Sequence, residues 1–424
     1  MTAVGFDGEY VVVDMGFRLD SILGFEDADI GAMEREELVS IQAIPDDSAL
    51  EAKKVKAIVL THGHLDHIGA VGKLAHRYDA PILGTPFTIE LVRRIIHEER
   101  VFGVNNELRQ VKLGEVVEVG GIQIEFIAVT HSIPQTALVA LHGPGGTVLF
   151  ASDFKLDEQP LLGSLTDTAR LKQLASEGLL ACLVGAVRVD EPGPTKSESV
   201  AKQMLREVME EAVQKDGAVI VTTFSSHIAR LRSIIDIAQE LGRVPLVVGR
   251  SLSNYCSAAL KLGLVEFEGI RIHGRRSNAV KNVLREAEEA RDEFVLVVTG
   301  HQGEPTSVLT RIADGRLPFK IRKGDEVIFS ASIIPNPINE SNRLLLETKL
   351  KAQGAKVHRD VHVSGHAGRK DTAEFLRLVS PQHLVPCHGT FDKLKIVADI
   401  GKELGYSESQ IHLLKNGESL RLTG

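Results

Sequence analysis

The stretch Val55-Lys56-Ala57-Ile58-Val59-Leu60-Thr61-His62-Gly63-His64-Leu65-Asp66-His67 constrains this chain more than any other. Ala57 to Leu60 is a short apolar run and reads as a buried strand. It ends in a turn that crowds three histidines and one aspartate (His62, His64, Asp66 and His67) into six residues. Imidazole and carboxylate together suit zinc and other borderline divalent ions. Alternate residues of an extended segment share a face, so His62 and His64 can grip one ion. Asp66 and His67 fall where the chain turns and can grip a second. The plain alternative is a set of surface polar residues in a glycine-containing loop. It is disfavoured because H-x-H-x-D-H after an apolar strand is far more specific than a lone H-x-H.

The segment resembles the signature of the metallo-β-lactamase superfamily. The resemblance implies an α/β fold in which two β-sheets are sandwiched between helices, αββα, with metals at one edge. It also implies a further histidine and aspartate as ligands. His131 in Ala128-Val129-Thr130-His131-Ser132 and Asp153 in Leu149-Phe150-Ala151-Ser152-Asp153 stand in that order. Each follows an apolar run that reads as a strand, which presents it at a sheet edge. Either one alone is an ordinary polar residue at a strand end. Asp14, after the strand Glu9 to Val13, is by default a turn residue. In the superfamily an aspartate here orients a metal-binding histidine through a hydrogen bond.

The chain has 424 residues, enough for two or three domains or for one domain split by an insertion. Apolar residues make up 43% and Trp is absent, so aliphatic side chains must fill the cores. The net charge of −8 argues against a generally basic coat for nucleic acid, though not against a local basic groove. Cys182, Cys256 and Cys387 are odd in number and far apart, which fits free thiols in a reducing compartment and hence a cytoplasmic protein. No apolar run is long enough for a membrane span, and no leader follows Met1.

Residues 68–100 read as helical, interrupted at Pro81, and residues 111–155 as strands between glycine turns. After Cys182 the texture changes. A helix over 197–214 carries Val200, Met204, Val208 and Val213. Strands at 218–222, 246–248, 295–298 and 327–329 alternate with helices at about 227–241 and 252–262. Uniformly apolar strands alternating with helices predict a parallel sheet covered on both faces, a second domain of Rossmann-like plan. No G-x-G-x-x-G opens it, so no dinucleotide is expected. A helix over 341–353 begins a return segment, and the chain ends in a helix and a short strand, Ser419 to Leu422. The expected domains are residues 1–180, 181–340 and 341–424.

An insertion closed by His366 and His388 resembles the β-CASP branch of nucleases, in which an inserted cap covers the metal site. Finer matches point to the RNase J family in its shorter, archaeal type. They are Val221-Thr222-Thr223-Phe224-Ser225-Ser226, Gly249-Arg250-Ser251, Thr299-Gly300-His301-Gln302-Gly303-Glu304-Pro305 and His362-Val363-Ser364-Gly365-His366-Ala367. The resemblance implies that His62, His64 and His131 bind one zinc, that Asp66, His67 and His388 bind another, and that Asp153 bridges them. Manganese is the alternative ion. It implies that Asp66, Asp153 and His366 serve catalysis, His366 beside the scissile phosphate. Ser226, Ser364, Gly365 and His362 match segments that hold phosphates of an RNA end. The implied activity is 5′ to 3′ degradation of single-stranded RNA from a 5′-monophosphate, with endonucleolytic cutting as a second mode, in a homodimer. Taken alone, His366 and His388 read better as packed, hydrogen-bonded histidines. His227 and His301 read as solvated groups, with channel lining as the alternative, and Arg275-Arg276 and Lys320 to Lys323 as solvated faces, with RNA-phosphate contact as the alternative.

The chain departs from the family pattern twice. Where the family carries an acidic Asp-Ser-Thr, which bonds the histidine corresponding to His366, this chain has Leu183-Val184-Gly185-Ala186-Val187-Arg188-Val189. Asp190 and Glu191 are near but wrongly spaced. Relatives also begin with an extra strand before Met1-Thr2-Ala3-Val4, so a bare sheet edge is expected. These departures keep two alternatives in view: an RNA-binding or scaffolding paralogue with weak cleavage, and a small-molecule metallo-hydrolase such as a thioesterase.

Overall fold

In the computed structural model, which describes residues 1–424 apart from 24, 26, 99–102, 216, 275–276 and 423–424, Asp7 and Gly8 make the first turn. Both have positive φ (48° and 85°), as a two-residue hairpin of the primed type requires. They join β1 (Thr2–Phe6) to β2 (Glu9–Val13) in antiparallel register. β3 (Val55–Leu60), β4 (Ile82–Gly84) and β5 (Leu108–Gln110) follow in parallel, and the sheet runs β1-β2-β3-β4-β5. β1 is thus an edge strand of this sheet and β2 is paired on both sides. Residues 68–100 are not one interrupted helix. Pro81 leads into β4, and only then comes the helix Pro86–Glu98. A strand of three residues is too short for periodicity to reveal.

β6 (Val116–Val119), β7 (Ile122–Ala128), β8 (Ala137–Gly143) and β9 (Gly146–Ala151) form an antiparallel meander, and β10 (Leu179–Gly185) pairs parallel with β9. Val11, Val13, Ala57, Val59 and Leu83 of the first sheet share a core with Ile124, Phe126, Val139, Leu141 and Phe150 of the second. Alternation along each strand sends the other set of side chains outward. On that face of the second sheet, Ile127, Leu138, Leu149 and Cys182 pack against helices 168–177, 369–379 and 391–403 through Leu171, Phe375 and Val397.

The inserted unit is a six-stranded, wholly parallel sheet. Its strands are β11 (Val219–Thr222), β12 (Val244–Val248), β13 (Arg271–His273), β14 (Phe294–Val298), β15 (Glu326–Phe329) and β16 (Lys356–His358), in the order β13-β12-β14-β11-β15-β16. The four inner strands β11, β12, β14 and β15 are buried on both faces, as their apolar runs predicted, whereas the edge strands β13 and β16 are partly exposed, have no such run and were not expected. The helix Glu198–Val213 is as expected, but its buried stripe is Ala201, Leu205, Met209 and Ala212. The stripe Val200, Met204, Val208 lies one residue round; both sets have helical spacing, and only packing chooses between them. Arg275-Arg276 lies outside the described residues.

β17 (His383–Cys387) completes the second sheet of the first unit by pairing parallel with β10. Ser419 to Leu422 forms no strand; Ile411 makes the last bridge, to Leu384. The chain divides into Met1–Thr195 with Gly365–Gly424, and Lys196–Ser364. Both junctions fall later than 180 and 340. β10 is held between β9 and β17, while the helix Pro337–Ala352 packs Leu346 and Leu350 into the core of the inserted unit.

That unit also encloses an ion pair. Arg230, fully buried, lies 2.9 Å through Nη2 from Glu198 Oε2 and also donates to the carbonyls of Ser330, Val361 and Val363. Arg230→Met leaves the Glu198 carboxylate buried with its main partner gone. The expected cost is about 3–5 kcal/mol, read as a lower urea midpoint; an unchanged midpoint excludes the pair as a structural tie.

Candidate metal centre

Strand direction decides where the polar residues collect. β2 and β3 are parallel; β7, β9, β10 and β17 share one direction in the second sheet. Asp14 follows the end of β2, His62 to His67 follow β3, His131 follows β7, Asp153 follows β9 and His388 follows β17. Every one therefore leaves the same end of its strand. Asp14 and His388 are held at φ 59° and 49°, a backbone region that non-glycine residues rarely occupy and that clusters at functional sites. The Asp14 loop is pinned beneath the turn after β3. Met15 N–H donates to His67 O at 2.8 Å and Phe17 N–H to Leu65 O at 2.9 Å. A Cβ on Gly16 would stand 1.6 Å from Asp66 O, so only glycine fits that approach.

Two sets of donors result. His62, His64, His131 and Asp153 form one, and Asp66, His67, Asp153 and His388 the other; the donor atoms of each set lie within 4.8 Å of one another. Asp153 belongs to both. Its Oδ2 lies 3.6 Å from His62 Nε2, 3.7 Å from His131 Nε2 and 3.4 Å from His67 Nε2, and its Oδ1 lies 3.3 Å from His388 Nε2. The outer ring nitrogens are occupied. His67 Nδ1 donates to Asp14 Oδ2 at 2.7 Å and His131 Nδ1 to Gly365 O at 2.7 Å. Both imidazoles thereby turn a bare Nε2 inward. His64 presents Nδ1 instead, 3.0 Å from His62 Nε2 and 3.3 Å from His131 Nε2.

This set fits divalent cations. His67 Nε2 and Asp153 Oδ1 are buried atoms without a hydrogen-bond partner, and both face the cluster. Buried polar atoms are seldom left so unless something else satisfies them. Burial first, and neighbouring imidazoles second, push His62 and His131 well below the ordinary histidine range, and burial takes His64 down to about 4. Neutral imidazole is the form that binds metal. Burial alone would raise the Asp153 carboxyl, but His388 and His366 more than offset it and hold the group well below the usual range. Cys387 adjoins His388, but burial pushes its thiol up to about 12 and leaves it no thiolate to offer.

The other expected residues divide between the units. His366 joins the centre, its Nε2 3.2 Å from Asp153 Oδ2. Gly365 takes part through its carbonyl, and a Cβ there would meet Ser132 at 2.6 Å. Ser226, His362 and Ser364 belong to the inserted unit. His362 Nδ1 lies 3.3 Å from Arg230 Nη1, and burial followed by that guanidinium lowers its pKa to about 2, so it carries no positive charge at neutral pH. Thr61 was not singled out from the sequence. It touches both Asp14 and His62, and a hydroxyl residue just before an H-x-H at a strand end was the available signal.

Residues 1–222 match the metallo-β-lactamase superfamily, 216–346 the ribonuclease J β-CASP domain, and 354–412 the Zn-dependent metallo-hydrolase RNA specificity domain. The chain is 45% identical, over its full length and 94% of the relative's, to ribonuclease J of Pyrococcus abyssi. The chain belongs to the ribonuclease J family. Ribonuclease J of Methanocaldococcus jannaschii is 44% identical over 99% of this chain and 95% of its own. A crystal structure of a protein of unknown function from Enterococcus faecalis V583 shares the fold, with a TM-score of 0.63 and 14% identity over 98% of this chain and 95% of that one.

Gly185, where the resemblance led to an acid being expected, meets a steric limit. A Cβ on Gly185 would lie 1.6 Å from Ser152 O. Asp190 pairs with Lys393 at 3.0 Å and Glu191 with Arg188 at 3.8 Å. The His366 carbonyl accepts from Thr195 Oγ1 at 2.7 Å. His64→Ala, which removes a donor close to two other ring nitrogens, is expected to lower bound metal measured by elemental analysis; full metal content in this variant would remove His64 from the donor set.

Proposed function

We propose that this chain is a metal-dependent ribonuclease that degrades single-stranded RNA 5′ to 3′ from a 5′-monophosphate end, with endonucleolytic cleavage as a second mode. The observation that carries this reading is one buried carboxylate, Asp153, shared by two histidine-rich donor sets. Two zinc ions, or manganese in their place, are the proposed cofactors. His62, His64 and His131 would hold one, Asp66, His67 and His388 the other, with Asp153 between them. Bound there, divalent cations supply Lewis acidity, lowering the pKa of a water towards neutrality and offsetting charge on a phosphodiester.

The protein groups around that chemistry have separate tasks. Asp14 keeps His67 in one tautomer. The His366 ring is partly exposed and its Nε2 is held beside Asp153, so it can carry a proton for the leaving oxygen. Ser226, Ser364, Gly365 and His362 are the proposed holders of RNA-end phosphates, His362 as a neutral donor. Contacts of this kind carry affinity but no sequence information. Three cysteines without a disulfide fit a cytoplasmic site of action, and among the described residues no helix is long and apolar enough to cross a membrane.

The test offers the metal-loaded protein 5′-monophosphorylated and 5′-triphosphorylated single-stranded RNA. Mononucleotide release from the first is expected. Tight binding without product from either excludes the nuclease reading, and cleavage of a thioester but not of RNA favours a small-molecule hydrolase. His366→Ala should keep its metal and lose about 10²–10⁴-fold in rate; an undiminished rate removes His366 from the proton-transfer role.

A homodimer is proposed as well. Ile338, Leu344 and Leu345 lie exposed on the outer face of the helix Pro337–Ala352. An antiparallel second copy centred on Leu344 and Leu345 would set Glu340 against Lys349 of the partner subunit. Light scattering should find a dimer that a Leu344→Glu, Leu345→Glu variant loses; a monomeric parent ends this proposal.

A further inference from the structure

We infer that Thr61 is a positioning residue: its hydroxyl fixes the tautomer of His62 and, through Asp14, puts one histidine of each donor set under the control of a single carboxylate. The inference rests on the reading of His62 as a metal ligand.

Thr61 Oγ1 lies 2.9 Å from Asp14 Oδ2, 3.1 Å from Asp14 Oδ1 and 3.0 Å from His62 Nδ1. All three residues are buried. A hydroxyl has one proton to give and lone pairs to receive. Asp14 is surrounded by donors: Thr61 N–H at 2.8 Å on Oδ1 and His67 Nδ1 at 2.7 Å on Oδ2, beside the hydroxyl itself. That is the setting of an ionised carboxylate, which can only accept. Two arrangements compete. In one, Thr61 donates to Asp14 and accepts from His62 Nδ1–H. In the other, Thr61 donates to a bare His62 Nδ1 and the carboxylate loses a donor. A hydrogen bond to a charged acceptor is about twice as strong as one between neutral groups, so the first prevails. It puts the His62 proton on Nδ1 and leaves Nε2 bare, 3.0 Å from His64 Nδ1 and 3.6 Å from Asp153 Oδ2, where the donor set converges.

The hydroxyl is not free to rotate away. A β-branched side chain has few χ1 choices. The Thr61 backbone is fastened on both sides, its N–H to Asp14 and its carbonyl to Ala137 N–H at 3.0 Å. Asp14 therefore orients His67 directly and His62 through Thr61. The two connections differ in reach. Removing Asp14 disturbs both donor sets, whereas removing the Thr61 hydroxyl disturbs only the set that contains His62.

The test is a calorimetric zinc titration of the metal-free full chain and its variants, with circular dichroism melts to verify folding. The parent should take up two ions. Thr61→Val should weaken one of the two sites by about 10–100-fold and spare the other, Thr61→Ser should restore both, and Asp14→Ala should weaken both. Two sites of parental affinity in Thr61→Val overturn the inference and leave the centre standing. A Thr61→Ser variant as weak as Thr61→Val also overturns it, because the hydroxyl is then not the operative group. A parent that takes up no zinc overturns the reading of the centre and the inference with it. An independent measurement needs no variant that might misfold. In selectively ¹⁵N-histidine-labelled, metal-free parent, the His62 ring should carry its proton on Nδ1; a proton on Nε2 overturns the relay.

Discussion

A carboxylate withdrawn from water has to find compensation in its surroundings, and Asp153 finds it in imidazoles arriving from every side. Five histidines, His62, His67, His131, His366 and His388, place a ring nitrogen 3.2–3.7 Å from its oxygens. They come from four separate loops, two of them in the C-terminal return segment. The first unit can be understood as what it takes to bring them there. Parallel strand directions send the loops to one edge, glycine at position 16 lets two loops touch, and two residues accept left-handed backbone. Each of these costs stability locally. The apolar layer between the two sheets offsets that cost and keeps the loops from relaxing apart.

The inserted unit follows a different logic. Its four inner parallel strands are buried on both faces. Arg230 is a guanidinium deep inside that gathers the helix start at Glu198, the end of β15 at Ser330 and the segment Val361 to Val363. Residues far apart in sequence are thereby tied to one side chain. His362 lies in that tied segment, and its neutrality at physiological pH comes from burial first and from the same guanidinium second.

What could be read in the amino-acid order was set by how local the cause is. The H-x-H-x-D-H turn is written within a few residues of its strand and was legible at once. The four inner strands of the inserted unit were legible because burial on both faces leaves an unbroken apolar run, whereas the short, part-exposed edge strands β13 and β16 have none. Asp7-Gly8 was legible in principle, since the dipeptide between alternating residues specifies a tight hairpin, yet it was passed over and the first strand with it. β4 could not be found, because three residues do not make a pattern. The buried stripe of the helix Glu198–Val213 was misplaced by one residue because two stripes of equal spacing compete there. Thr61 and the Gly365 carbonyl act through partners outside their own turn, Asp14 and His131, and only the folded chain brings these within reach.

Gly185 carries an implication for the seating of Asp153. Ser152 O occupies the space that any side chain there would need. The strand β10 and the loop bearing Asp153 are pressed together at that point more closely than an acid would permit. A side chain at position 185 therefore cannot be added by itself. The two backbones would have to part first, and their parting would shift the residue next to Ser152, Asp153, against its imidazoles. The smallest residue of β10 thus helps to set where the shared carboxylate sits.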